Sequence, residues 1–162
     1  MSRELKIIDG KINFSCRMEH CQHCCCKTFE GLTDKISSID KRPFDEIILT
    51  EEDRMRIYES GYPELIDEAV SPITGRVYYR MNLHPDGTCK AYRNGRCNIN
   101  SFKPTLCKAF PFYFDMFTGL CGIMCEGFTE DCKTDLRDCK ESFEAARKMY
   151  EYWIDFYMPD GE

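Results

Sequence analysis

Five cysteines fall within one short stretch, FSCRMEHCQHCCCKTF, at Cys16, Cys21, Cys24, Cys25 and Cys26, with His20 and His23 between them. A thiolate is both a nucleophile and a soft metal ligand, so this stretch is suited to metal ligation, thiol redox chemistry or covalent catalysis. Four residues separate Cys16 from Cys21, two separate Cys21 from Cys24, and three separate Cys21 from Cys25. Ligands at such intervals can turn back onto one centre. The vicinal run Cys24-Cys25-Cys26 adds a constraint, because neighbours in an extended chain point to opposite faces. It suggests two neighbouring sites sharing the segment, or else some members left as spectators. His20 and His23 could be nitrogen ligands, but softer thiolates lie nearby, and a solvated histidine or a donor to sulfur from outside the coordination sphere is the plainer role.

Seven further cysteines follow at Cys89, Cys97, Cys107, Cys121, Cys125, Cys132 and Cys139. A centre joining residues near 20 to residues near 100 would close a loop of about eighty residues, so that metal binding and folding would be coupled. No lone thiol with an adjacent base stands out among the twelve, which leaves nucleophilic catalysis without a candidate residue.

The rest of the composition narrows the choice. A chain of 162 residues with 43% apolar content suits a single domain, and such a domain buries roughly two-thirds of its unfolded surface without staples. The net charge of −6 and the absence of any basic run argue against a nucleic-acid partner. The amino terminus MSRELKIIDGKINF lacks the continuous apolar core of a secretion signal, and no stretch reaches the length of a membrane span. A soluble, cytoplasmic protein without a membrane partner is expected. There thiols stay reduced, and twelve of them point to metal binding or redox chemistry before a disulfide framework.

The elements that must position these thiols form a mixed pattern with no repeat and no linker. Residues 5–14 read as two short strands around Asp9-Gly10, a pair suited to a tight hairpin. IILTEEDRMRIYESG specifies a helix capped by Thr50 and stopped at Gly61, and PELIDEAV reads as a second short helix opened by Pro63. GRVYYRMNL is rich in strand formers. Asn94-Gly95 signals a hairpin that would set Cys89 and Cys97 on adjacent strands. Pro104 opens a helical turn holding Cys107. From about 134 to 158 a long amphipathic helix is expected, its stripe formed by Leu136, Cys139, Phe143, Ala146, Tyr150, Trp153 and Tyr157. Cys139 on that stripe reads as a buried thiol. The fold class expected is α+β: a small, irregular, cysteine-rich metal-binding domain of short hairpins and several helices.

FSCRMEHCQHCCC, then IILTEEDRMRI, GTCKAYRNGRCNINSFKPTLCKAFPF and finally CEG at 125–127 together resemble the cysteine-cluster family known as the zinc- or iron-chelating domain of the YkgJ type, over about residues 14 to 127. The C-x4-C-x3-CC opening is also similar to that of flagellin lysine N-methylases, which carry this cluster. The resemblance implies a metal set of Cys16, Cys21, Cys25, Cys26, Cys89, Cys97, Cys107 and Cys125, with Cys24 able to replace Cys25. This chain has Lys103-Pro104 where the family reads Arg-Pro, and Cys125-Glu126-Gly127 where it reads Cys-Pro-Gly; both departures keep the thiols. Cys121, Cys132 and Cys139 are additional to the pattern.

What the resemblance implies is one or two [4Fe–4S]-type iron–sulfur clusters, serving electron transfer or a cluster-dependent modification, with a redox or protein-substrate partner. The alternative class is a zinc-bound structural or partner-docking module. A small lysine methylase is the third, although no Gly-rich loop opens a helix after a strand. Phe102, Phe110, Pro111, Phe112 and Phe114 would either shield a cluster or form ordinary core.

Overall fold

The structure is a computed structural model that describes residues 5–16, 46–122 and 125–158. In chain order its strands are β1 (Ile7–Ile8), β2 (Lys11–Ile12), β3 (Ile48–Leu49), β4 (Ile66–Val70), β5 (Val77–Met81), β6 (Tyr92–Arg93), β7 (Arg96–Cys97), β8 (Phe112–Asp115), β9 (Gly119–Gly122) and β10 (Thr134–Asp135). Its helices are α1 (Glu51–Glu59), α2 (Thr105–Ala109) and α3 (Lys140–Tyr157). The class is therefore α+β, with small sheets and a long carboxyl-terminal helix. No described helix is long and apolar enough to cross a membrane. The chain divides into two compact units, Met1–Cys24 with Lys108–Glu162, and Cys25–Cys107.

In the first unit, β1 and β2 form the hairpin expected at Asp9-Gly10, where both residues adopt positive φ, 49° and 73°. β10 adds to the other edge of β2, with Thr134 opposite Ile12. β8 and β9 form a second hairpin, and α3 packs against β8. The core is aromatic. Phe14 meets Phe112 at 5.0 Å and Phe128 at 5.1 Å, while Phe112 meets Phe143 of α3 edge-on at 5.0 Å. Phe112 is thus ordinary core.

The helix expected from about 134 begins later. Thr134 and Asp135 belong to β10, and Leu136–Cys139 form a 3₁₀ turn before α3 starts at Lys140. Of the expected stripe, Cys139 and Ala146 are buried while Leu136, Phe143, Tyr150, Trp153 and Tyr157 are half-buried, and Ala145, Met149 and Phe156 of α3 are buried as well.

In the second unit, β3, β5 and β4 make an antiparallel sheet in that order. α1 follows β3 as expected. Thr50 accepts from the Asp53 amide at 3.1 Å, and the Asp53 carboxylate accepts in return from the Thr50 amide at 3.2 Å, so two orphan amides of the first turn are satisfied reciprocally.

PELIDEAV is not a helix. Only Pro63–Leu65 turn, as one 3₁₀ turn, and Ile66–Val70 pair along their whole length with β5, from Ile66 opposite Met81 to Val70 opposite Val77. The overriding influence is β5: VYYRM is a strong strand former that supplies five facing residues, and Arg80 ion-pairs with Asp67 directly across at 2.8 Å. Ser71 closes the connecting turn by accepting from the amides of Ile73 and Thr74. The unit's core gathers Ile47, Leu49, Ile57, Leu65, Met81, Cys89, Ala91 and Ile99.

Candidate metal centre

Five of the eight cysteines implied as ligands are described: Cys16 and Cys125 in the first unit, and Cys89, Cys97 and Cys107 in the second. Cys21, Cys25 and Cys26 lie outside the described residues, as do Cys24, His20 and His23.

The three thiols of the second unit arrive at its core by three local devices. Cys89 follows the turn His84–Thr88, in which the His84 amide donates to the Thr88 carbonyl at 2.8 Å, and it bridges to Leu83. Its side chain is buried. Cys97 ends β7, opposite Tyr92, after a turn whose Asn94 and Gly95 have φ of 51° and 77°. The hairpin is therefore present, but Cys89 precedes it and does not lie on a strand alongside Cys97. The reason is the short ladder: pairing runs out at Tyr92, whose amide already donates to the Cys89 carbonyl at 2.9 Å to close a turn.

Cys107 lies on α2, the helical turn expected after Pro104. That turn is tied down by Asp53, whose side chain is fully buried. The Thr105 amide donates to both carboxylate oxygens at 3.1 Å, and the Thr105 hydroxyl donates at 2.9 Å. The Asp53 carboxylate also ion-pairs with Arg56. Four donors thus converge on one buried anion, and through it the capped start of α1 is fixed to the residue two before Cys107. Cys97 and Cys107 are half-buried and pack against the core that includes Cys89. Phe102 joins the same core and lies 5.9 Å from Tyr62.

In the first unit Cys16 is exposed and Cys125 half-buried. The Gly127 amide donates to the Cys125 sulfur at 3.4 Å. Backbone donors of this kind stabilise a thiolate and adjust the potential of a metal bound to it.

The three cysteines additional to the resemblance have ordinary local roles. Cys139 is core, and burial followed by the nearby Asp138 carboxylate pushes its thiol pKa up, away from the thiolate a ligand requires. Cys132 donates to the Lys6 carbonyl at 3.5 Å. Cys121 faces Tyr113 across the β8–β9 ladder and lies 3.1 Å from the Thr118 hydroxyl. Burial, and then Cys121, raise the Tyr113 pKa.

The described donors suit a soft metal in chemistry: reduced sulfur, apolar surroundings and a backbone donor aimed at one sulfur. Among the described residues no three His, Cys, Asp or Glu side chains come close enough together to hold an ion. The sequence reading missed two residues that organise these thiols, Asp53 and Gly127. Thr50-x-x-Asp53 does match a capping box, whereas nothing local announces its tie to Thr105. No family model, curated protein or solved structure matches this chain.

Proposed function

We propose that this protein binds metal through cysteine thiolates in the manner of the YkgJ-type family, with Cys16, Cys21, Cys25, Cys26, Cys89, Cys97, Cys107 and Cys125 as the ligand set. One or two [4Fe–4S] clusters are the cofactor that suits so many thiols, and they would supply one-electron chemistry for electron transfer or for modification of a protein substrate. The observation that supports this reading is that Cys89 belongs to the apolar core of the second unit and that Cys97 and Cys107 pack against the same core, from a turn, a hairpin and a helical turn. Buried thiols are common as packing residues; here three reach one apolar core from separate elements. A reducing compartment such as the cytoplasm is where these thiols would remain available.

Anaerobic purification followed by iron, zinc and acid-labile sulfide analysis tests the reading. Iron and sulfide in near-equal amounts, with a brown absorption band, are expected. Zinc without sulfide would replace the redox role by a structural one, and a colourless protein with neither metal after reconstitution would remove the proposal.

A further inference from the structure

In the sheet of the second unit, the order β3, β5, β4 leaves β4 with a neighbouring strand on one side only. The hydrogen-bond phase of its ladder is fixed at both ends: the Asn82 amide donates to the Leu65 carbonyl at 2.7 Å, and the Ser71 amide to the Arg76 carbonyl at 2.9 Å. Bonded pairs alternate with non-bonded pairs along an antiparallel ladder. Asp67 and Ala69 therefore turn their peptide groups toward β5, while Ile66, Glu68 and Val70 turn theirs away. The Ile66 amide is used, donating to the Pro63 carbonyl. Among the described residues, the amides of Glu68 and Val70 and the carbonyls of Ile66, Glu68 and Val70 make no backbone hydrogen bond. They form a row spaced to pair with one more strand.

The side chains along this edge define what such a strand would carry. Glu64 and Glu68 are exposed and make no ion pair among the described residues, whereas Asp67 is held by Arg80. Val70 and Val77, directly opposite each other, are 60% and 49% exposed, and Ile73 in the turn that joins their strands is 55% exposed. Glu68 and Val70 lie two residues apart and so share one face of β4. Charge on an edge strand can serve only to discourage pairing. That role accounts for Glu68 but not for three exposed apolar residues at the end of the same edge. Two copies of this chain are a poor match for each other here. Edge pairing would gather Glu64, Asp67 and Glu68 of both protomers on chains that each carry a net charge of −6, and like charges across a ladder are destabilising.

We propose that the outer edge of β4 docks an extended segment of a partner protein, which adds antiparallel to the sheet with a lysine or arginine against Glu68 and a β-branched or aromatic residue against Val70. In the antiparallel sense the residue facing Val70 comes two positions before the residue facing Glu68, so the segment reads apolar-x-basic. The peptide groups of Glu68 and Val70 supply affinity, and their side chains supply selectivity. No cysteine lies between Ile66 and Met81, so this surface does not rest on the metal-binding reading.

The test titrates the full chain into three capped, fluorescently labelled peptides and follows anisotropy. The first is Thr-Val-Thr-Lys-Thr-Val-Thr, the second replaces its lysine by glutamate, and the third is N-methylated at the lysine amide, which keeps the charge and removes one ladder donor. Saturable binding of the lysine peptide is expected, with a loss of about tenfold for the N-methylated form and a similar loss for the glutamate form. Glu68→Lys, an exposed substitution outside the β5 ladder, should reverse the preference between the lysine and glutamate peptides. Hydrogen exchange at the Glu68 and Val70 amides should slow on binding, while Asp67 and Ala69, already paired with β5, stay unchanged. No saturable binding of the lysine peptide at millimolar concentration would overturn the site. Equal binding of the N-methylated peptide would reduce the interaction to charge attraction and overturn strand addition. A wild-type dimer by sedimentation equilibrium, with the Glu68 and Val70 amides protected in the absence of peptide, would give the edge to a second copy and overturn the proposed partner.

Discussion

Replacing Asp53 by alanine is expected to destabilise the protein by about 3–5 kcal/mol, the range seen when one member of a buried ion pair is removed. The carboxylate is fully buried and receives the Arg56 guanidinium, the Thr50 amide, the Thr105 amide and the Thr105 hydroxyl. Alanine leaves all four donors without their acceptor and leaves the Arg56 charge partly buried with its main counterion gone. Asp53→Asn should cost less, because the amide oxygen still accepts from the backbone while the charge is lost. Urea unfolding of the two variants checks this. A change below about 0.5 kcal/mol, typical of an unremarkable surface substitution, would show that the four bonds do not act as described. The consequence reaches the candidate centre. Thr105 starts the turn that holds Cys107, so Asp53→Asn, if folded, should also bind metal more weakly than wild type.

Cys107→Ser and Cys97→Ser should each lose metal and, with it, the stability that metal binding adds. A ligand bound at a thousand times its Kd stabilises the native state by about 4 kcal/mol. That contribution should appear in the wild type as a fall in Tm on chelation and be missing from either variant. Cys139→Ser is the control. Its thiol lies in the core of the first unit and is pushed toward the protonated form, so it should lower stability through packing while leaving metal content intact. If Cys97→Ser and Cys107→Ser retain wild-type metal and Cys139→Ser loses it, the assignment of ligands is wrong.

Local features were legible where a few adjacent residues decide the backbone. Asp9-Gly10 and Asn94-Gly95 accept positive φ, and both produce tight hairpins. Thr50 caps α1 because its hydroxyl needs only an amide three residues on. Features decided by distant partners were not legible. IDEAV becomes a strand because VYYRM lies beside it, although its own start at Pro63 suits a helix. The late start of α3 reflects a 3₁₀ turn over Leu136–Cys139 that apolar spacing alone does not distinguish from α-helix. The same division holds at the candidate centre. The thiols are visible as letters, while Asp53 holding Thr105 across 52 positions, and Gly127 joining Cys125 to the strand before Cys16, are products of folding.

X-ray absorption at the edge of whichever metal accompanies the anaerobically purified protein tests the central claim most directly, because it reads the atoms bound to the metal. A first shell dominated by sulfur at about 2.3 Å, the distance of metal–thiolate bonds, is the predicted result. A first shell of nitrogen and oxygen alone would contradict it.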